Sequence, residues 1–286
     1  MDSQTPQHTL TFLGTGASCG VPNWYCACDA CKEALDNPAA ARDCSDLLIS
    51  GSEHTLIDAA PELRRQLARE HVLDVDRVLL THEHFDHIGG LPAFEYYVHL
   101  KTKTPLPVYA GPKTIAAVRQ QFGFMLDALD LREIHVGDKL EFDGVTYTPL
   151  AATHSEGAFG YLIETGNATN GNATNGGVGT RTAYFPDTGT LKPQTDAALR
   201  ERQIDTLIID ATFNGANWMP TSHHTIDDAI VLSQSLGARR TFLTHLSMSY
   251  DTPITLVELN DKLATINGAQ QGTNVSAAHD GLTINI

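Results

Sequence analysis

The sequence predicts an α/β protein of two mixed β-sheets sandwiched between helices, and three observations carry that reading. Apolar runs of strand length come in groups, with helical segments intervening irregularly, so the one-for-one alternation of a dinucleotide-binding fold fits less well. Run after run stops at an aspartate or a histidine: Asp58, His82, His154, Asp187, Asp210 and His245. In layered α/β folds, ligands bind where strand ends converge. No linker divides the 286 residues, which places residues 1–286 in a single domain long enough to bury a sizeable core.

Taken in order, "HTLTFLG" reads as a strand running into the glycine turn "GTGASCG". Such a turn alone says little, because GxGxxG is not present. "DLLIS" and "HTLID" are paired strands broken at Gly51-Ser52, the second closed by Asp58. Residues 61–69, "PELRRQLAR", put proline at a helix start and apolar residues at helical spacing. "DRVLLTH" is a buried strand with its titratable side chains at the end. "PVYAG" is a strand and "PKTIAAVRQQFG" a helix. From Glu133 to Thr165 the alternation predicts successive antiparallel strands.

Residues 166–177, "GNATNGNATNGG", form an imperfect five-residue repeat of small polar residues, read as a flexible hairpin insertion. "TRTAYFPDTG" ends at Asp187 and "IDTLIIDAT" at Asp210. "TIDDAIVLSQSLG" is a helix with Thr225 as N-cap and Gly237 as its stop. "RRTFLTH" ends at His245. A tail helix from about Pro253 and a last strand, "GLTINI", complete the chain.

Composition narrows the function classes. Hydrophobic content of 42% is that of a globular protein, and the formal net charge is −15 with a pI near 5.1. An acidic surface repels phosphate backbones and argues against a general nucleic-acid binder, though a metal can still hold a small phosphorylated substrate. "MDSQTPQHTL" has no basic start followed by an apolar segment, and no span of about 20 apolar residues follows. The expected location is cytoplasmic, with no membrane partner. Five cysteines in a reducing compartment argue against disulfides. Four of them, Cys19, Cys26, Cys28 and Cys31, lie close together, which points to metal. The Asn-Ala-Thr sequons at Asn167 and Asn172 carry weight only in a secreted protein.

"LLTHEHFDHIGG" concentrates the chemistry: His82, His84, Asp86 and His87 follow directly on an apolar run. Imidazole and carboxylate are the ligands expected for zinc, manganese or iron. The spacing is too tight for one metal in one regular element. In a strand-to-helix turn, His82 and His84 face one ion while Asp86 and His87 face a second, at the roughly 3.5–4 Å of two-metal sites. The other strand-end residues are available to complete both sets: His154 the first, His245 the second, Asp187 bridging. His8, His54, His71, His99 and His135 stand alone and read as ordinary core or surface histidines.

"THEHFDHIGG" resembles the signature of the metallo-β-lactamase fold hydrolases. "ATHS" at 152–155, "FPDTG" at 185–189 and "LTHLS" at 243–247 are similar to that family's later ligand motifs, in order. The resemblance runs from about residue 9 to 286 and implies a four-layer αββα sandwich with a dinuclear site. It implies that His82, His84 and His154 hold one metal, that Asp86, His87 and His245 hold the other, and that Asp187 bridges. Asp58 and Asp210 look like carboxylates that orient ligand imidazoles. Two divalent ions, Zn or Mn, are the implied cofactors.

Two further features narrow the family. Cys26, Cys28 and Cys31 form C-x-C-x-x-C in a loop at 19–31, a thiolate cluster suited to one structural zinc. This motif behind "GTGASCGVP" is similar to the cyclic phosphodiesterase of phosphonate catabolism, which opens 5-phosphoribosyl 1,2-cyclic phosphate. With "VPNWYCAC" it is also similar to pyrroloquinoline quinone biosynthesis protein B. "SHHTIDDAI", 222–230, matches a segment in which phosphodiesterases of the fold, including tRNA 3′ processing endonucleases, carry a catalytic histidine. His223 matches best, with His224 its competing neighbour.

Where the phosphonate enzyme completes its structural zinc with a histidine three residues past the last ligand, this chain has Met248, leaving Cys19, Cys44, another histidine or water as fourth ligand. No long tRNA-grasping arm and no basic patch is evident. The expected activity is hydrolysis of a small, cyclic phosphodiester, with Asp187 and His223 in the chemistry; the resemblance also allows a homodimer. The rival reading is a metalloprotein of quinone-cofactor biosynthesis, against which the intact quartet counts. A non-catalytic metal scaffold and a flavodiiron-like oxidoreductase fit less well; the latter wants an acidic ligand, and Glu83 sits between ligands.

Overall fold

The computed structural model describes residues 8–166, 179–269 and 274–286, so the asparagine-rich insertion predicted at 166–177 lies, beyond Gly166, outside the described residues. Among the described residues, fourteen strands form two seven-stranded sheets. The first contains β1 (Thr9–Gly14), β2 (Asp46–Ser50), β3 (His54–Ile57), β4 (Arg77–Leu79), β5 (Leu106–Ala110) and β6 (Leu129–Glu133). The second contains β7 (Leu140–Phe142), β8 (Val145–Ala151), β9 (Phe159–Thr165), β10 (Arg181–Phe185), β11 (Thr206–Asp210), β12 (Arg240–Thr244) and β13 (Val275–Ala277). β14 (Thr283–Asn285) returns to the first sheet beside β1. The sheet orders are β14-β1-β2-β3-β4-β5-β6 and β13-β12-β11-β10-β9-β8-β7. Both sheets are mixed: β3 to β6 and β10 to β13 run parallel, while their other neighbours pair antiparallel.

Three apolar clusters make the four layers explicit. Leu10, Phe12, Leu47, Ile49, Ile57 and Leu79 of the first sheet meet Tyr147, Phe159, Tyr161, Ile163, Tyr184 and Ile208 of the second. Their strand neighbours Leu13, Leu48, Leu56 and Val78 point the other way, onto helices that supply Leu63, Phe94, Ile115 and Val118. Ala30, Leu199, Ile230 and Leu259 cover the outer face of the second sheet. Strands covered on both faces read as continuous apolar runs, which is why "DLLIS" and "RVLL" do not alternate. Each fully buried aliphatic or aromatic side chain in such a layer contributes about 1.5–3 kcal/mol relative to exposure.

Several local expectations hold in detail. Thr225 caps the helix Ile226–Leu236 in a reciprocal capping box with Asp228, and Gly237 ends it at φ 68°. The helix near Pro61 begins at Leu63, and the tail helix is Leu256–Ala269. Elements with weak apolar patterning went unread: the edge strand β6, "LDLRE", the three-residue β13, and the helices Asp29–Asp36 and Pro193–Arg202. The histidines read as ordinary occupy ordinary places: His8 pairs with Asp143 at 3.3 Å, and His99 and His135 with surface carboxylates.

The two sheets are tied together at the edge where β3, β4, β8, β10, β11 and β12 end. Phe159 N–H donates to Thr81 O, and Leu246 N–H to Thr15 O. Gly90 allows the loop after β4 to close on the loop after β3: a Cβ there would lie 2.1 Å from Ala60 O. No helix among the described residues is long and apolar enough to cross a membrane.

Candidate metal centre

β4 runs into a turn and then the short helix Phe85–Ile88, so His82 and His84 lie before the helix and Asp86 and His87 within it. This is the strand-to-helix turn the quartet needs. His154 follows β8, Asp187 follows β10, and His245 directly follows β12. Convergence of strand ends brings all of them to one place. One ligand atom from each of His82, His84 and His154 lies within 4.8 Å of the others. The same holds for Asp86, His87, Asp187 and His245.

Asp187 stands between the two groups. Its Oδ2 is 2.5 Å from His87 Nε2 and 3.8 Å from His82 Nε2, and its Oδ1 is 3.3 Å from His245 Nε2.

The orientation of each ring decides what the group can bind. His87 Nδ1 is 2.8 Å from Asp58 Oδ2, His82 Nδ1 is 3.0 Å from Thr81 Oγ1, His245 Nδ1 is 2.8 Å from Thr212 Oγ1, and His154 Nδ1 is 3.0 Å from Ser222 O. In each, the protein occupies Nδ1 and Nε2 is left facing inward. His84 instead turns Nδ1 in, 3.0 Å from His154 Nε2. His82 Nε2, His87 Nε2 and both carboxylate oxygens of Asp187 are buried with no well-formed hydrogen bond, and the close His87–Asp187 approach is their main contact. Buried polar atoms are ordinarily satisfied, so poorly satisfied acceptors gathered around one point suit a bound cation. The donor set of imidazole and carboxylate suits zinc, manganese or iron. The residues therefore fit the two cations that the motif implies.

Burial and the neighbouring carboxylates shift these groups in different directions. Burial, helped by the neighbouring His87, holds His82 well below its ordinary pKa, leaving it neutral as a metal ligand must be. Burial opposes ionisation of Asp187, but His245 and His87 overcome it and hold the carboxyl well below its usual range. His87 is also disfavoured by burial, and Asp86, Asp58 and Asp187 together outweigh it and raise its pKa. Strain accompanies this charge: Asp58 and His245 are non-glycine residues in the left-handed region, at φ 67° and 55°. Each such residue costs of order 1–3 kcal/mol and persists where surrounding structure over-determines it.

Asp58 and Asp210 are buried against the site. Asp58 accepts from Thr81 N–H and Thr81 Oγ1–H and touches His87 Nδ1. Asp210 accepts from Thr188 and Thr212 N–H and lies 2.7 Å from His223 Nδ1. Thr81, Thr212 and the Ser222 carbonyl escaped the sequence reading; the one available signal was a threonine immediately ahead of His82 and another two residues past Asp210. Replacing Asp58 by alanine is expected to weaken metal binding about 10–100-fold, read by chelator competition, because His87 loses its anchor. Unchanged affinity would remove Asp58 from this role.

The centre opens into a cavity of about 210 Å³ lined by His84, Asp86, His154, Asp187, His223 and His245 together with Phe213, Trp218 and Tyr250. His223 stacks on His245 with ring centroids 5.4 Å apart. Burial works against its protonation, but Asp210 raises its pKa to about 9. His224 is buried and does not line the cavity, and burial lowers its pKa. The geometry thus brings His223, of the two neighbours, to the site.

Cys26, Cys28 and Cys31 place their sulfurs within 4.8 Å of one another, with Asn23 N–H 3.4 Å from Cys31 Sγ. Three converging sulfurs and an N–H aimed at one of them fit a thiolate zinc site. Neither cysteine considered as fourth ligand belongs to the group. Cys44 Sγ faces the Ala17 and Ser18 carbonyls, and Cys19 Sγ faces the hydroxyls of Tyr25 and Tyr250. Met248 is buried in the apolar cluster against which Cys28 packs.

Comparison with known proteins agrees with this fold. The β-lactamase superfamily domain matches residues 54–246. An octanoyltransferase of Porphyromonas gingivalis is 26% identical over 247 residues, 82% of this chain, but the chain spans only 45% of that protein's length. Coenzyme PQQ synthesis protein B of Methylorubrum extorquens is 24% identical over 317 aligned positions, covering 97% of this chain and 99% of that one. Among solved structures, a diphosphatase of the PhnP family superposes with a TM-score of 0.78 at 24% identity, covering 98% of this chain and 97% of that chain. Zn-bound PqqB from Methylobacterium extorquens superposes with a TM-score of 0.75 at 22% identity, covering 97% and 100%. At these identities the superpositions speak to the shared αββα fold.

Proposed function

The chain belongs to the β-lactamase superfamily, and from that premise we propose that it is a dinuclear-metal-dependent hydrolase of a small, cyclic phosphodiester such as a phosphoribosyl cyclic phosphate. The observation that carries the reading is the inward set of nitrogens around Asp187, with His223 on the same cavity wall. His82, His84 and His154 would hold one ion, Asp86, His87 and His245 the other, and Asp187 both. Cations bound there would supply a water of lowered pKa at neutral pH and would offset charge on the phosphate oxygens.

The chain's own residues do the rest. Asp58, Thr81 and Thr212 keep the ligand rings from turning. His223, its Nδ1 held by Asp210, has Nε2 available to the cavity. From there it donates to the phosphate and gives its proton to the leaving alkoxide as the ring P–O bond breaks. The thiolate cluster would fasten the loop at 19–31 with one structural zinc and take no part in the reaction. Five free cysteines suit the reducing cytoplasm. The net charge of −15 suits a small substrate over a nucleic-acid chain.

Likeness to PQQ synthesis protein B along nearly the whole chain supports a second reading, a metalloprotein of quinone-cofactor biosynthesis. Hydrolysis of bis-p-nitrophenyl phosphate separates the two. We expect nitrophenolate release that stops on chelation and returns with Zn or Mn. Metal-replete protein that leaves this ester intact would favour the second reading.

A further inference from the structure

We propose that the site takes phosphodiesters bearing a planar aromatic base, and that Trp218 is the surface on which the base stacks; this rests on the phosphodiesterase reading above. Aromatic rings lead outward from the centre. Phe213 lies 6.1 Å from His223, Trp218 meets Phe213 edge-on at 5.3 Å, and Tyr250 packs on both Phe213 and Trp218. Phe213 is buried, yet Trp218 is 60% exposed.

The loop that carries Trp218 is braced. Asn217 Nδ2–H donates to His223 O, Asn217 Oδ1 accepts from Met219 N–H, and Met219 O accepts from His223 N–H. An indole held at its edge, with open surface and a fixed relation to His223, is a pre-organised stacking face.

Space and polarity continue past it. Trp218 and Tyr250 line both the metal cavity and a second cavity of about 480 Å³, so the two open along one shared wall. The second cavity adds Tyr25 and the polar side chains of Asn23, Ser249 and Asp251, which can meet the hydrogen-bonding edge of a heterocycle. Cys19 Sγ lies 3.5 Å from Tyr25 Oη and 3.3 Å from Tyr250 Oη, linking the cysteine loop to this wall. A phosphate at the centre and a ring on Trp218 describe a nucleoside phosphodiester. The acidic surface favours a single nucleoside over a polynucleotide.

Two measurements test this on the full chain. Trp24 and Trp218 are its two tryptophans, so Trp24→Phe leaves Trp218 as the sole indole reporter. Adenosine monophosphate is expected to quench its emission, and ribose 5-phosphate is not. In turnover, Trp218→Ala should lower the ratio of kcat/KM for an adenosine cyclic phosphate over a base-free ribose cyclic phosphate about 5–100-fold, as loss of one base stack does. Trp218→Phe should restore most of it. No quenching, or an unchanged ratio, overturns the proposal. A protein that is quenched by the nucleotide but opens neither ester supports base stacking and defeats the phosphodiesterase reading. One that opens both esters without quenching does the reverse.

Discussion

Asp187→Ala is expected to lose bound metal and activity together. Asp187 reaches both ligand groups, through Oδ2 toward His87 and His82 and Oδ1 toward His245. Removing it takes away the carboxylate that lies against His87, His82 and His245 and leaves Asp86 alone between His87 and His245. Metal affinity should fall by more than the 10–100-fold typical of losing an outer partner. Turnover should fall at least about 10³-fold, because stabilisation of the attacking water and of the phosphate charge depends on the same ions. Elemental analysis beside the nitrophenyl ester assay reads both. Asp187→Ala protein that keeps its full metal complement, or turns over normally, would break the assignment of Asp187 as the shared ligand and with it the dinuclear arrangement.

His223→Ala is expected to separate what Asp187→Ala joins. His223 gathers with Asp187, Asp210 and His245, but its Nδ1 is engaged by Asp210 and it is not among the ligands assigned above. Metal content should be retained while turnover slows about 10²–10⁴-fold, the range for a positioned acid. The size of the defect should depend on the leaving group. An alkoxide needs the proton, whereas p-nitrophenolate departs with little help, so His223→Ala should harm an alkyl ester far more than the nitrophenyl one. Equal losses on both esters would remove His223 as the proton donor. His224→Ala supplies the comparison, since His224 does not line the cavity.

Both expectations depend on where ring nitrogens point, which shows how far the sequence reaches. The quartet at His82, His84, Asp86 and His87 was legible because four ligands fall in six residues behind an apolar run. The helix at Ile226–Leu236 was legible because Thr225, Asp228 and Gly237 act within one or two turns. The strand β6 was not. Its "LDLRE" carries three charged residues, which a sheet-edge strand tolerates and a sequence pattern reads as loop. The helix Pro193–Arg202 buries only Thr195 and Leu199, too sparse a stripe to announce itself.

The sequence alone determined the chemistry available: imidazoles and carboxylates in chain order, strand ends that carry them, and a thiol cluster near the start. Such information is local, held in residue type and short spacing. Tertiary structure decided the partners. His245 meets Asp86 across 159 positions of chain, His154 meets His84 across 70, and Thr212 rather than a carboxylate holds the His245 ring. It also chose His223 over His224 and set Trp218 against Phe213 beside them. Adjacent residues have the same composition and almost the same spacing to every motif; only the backbone path after β11 settles which of the two faces the cavity.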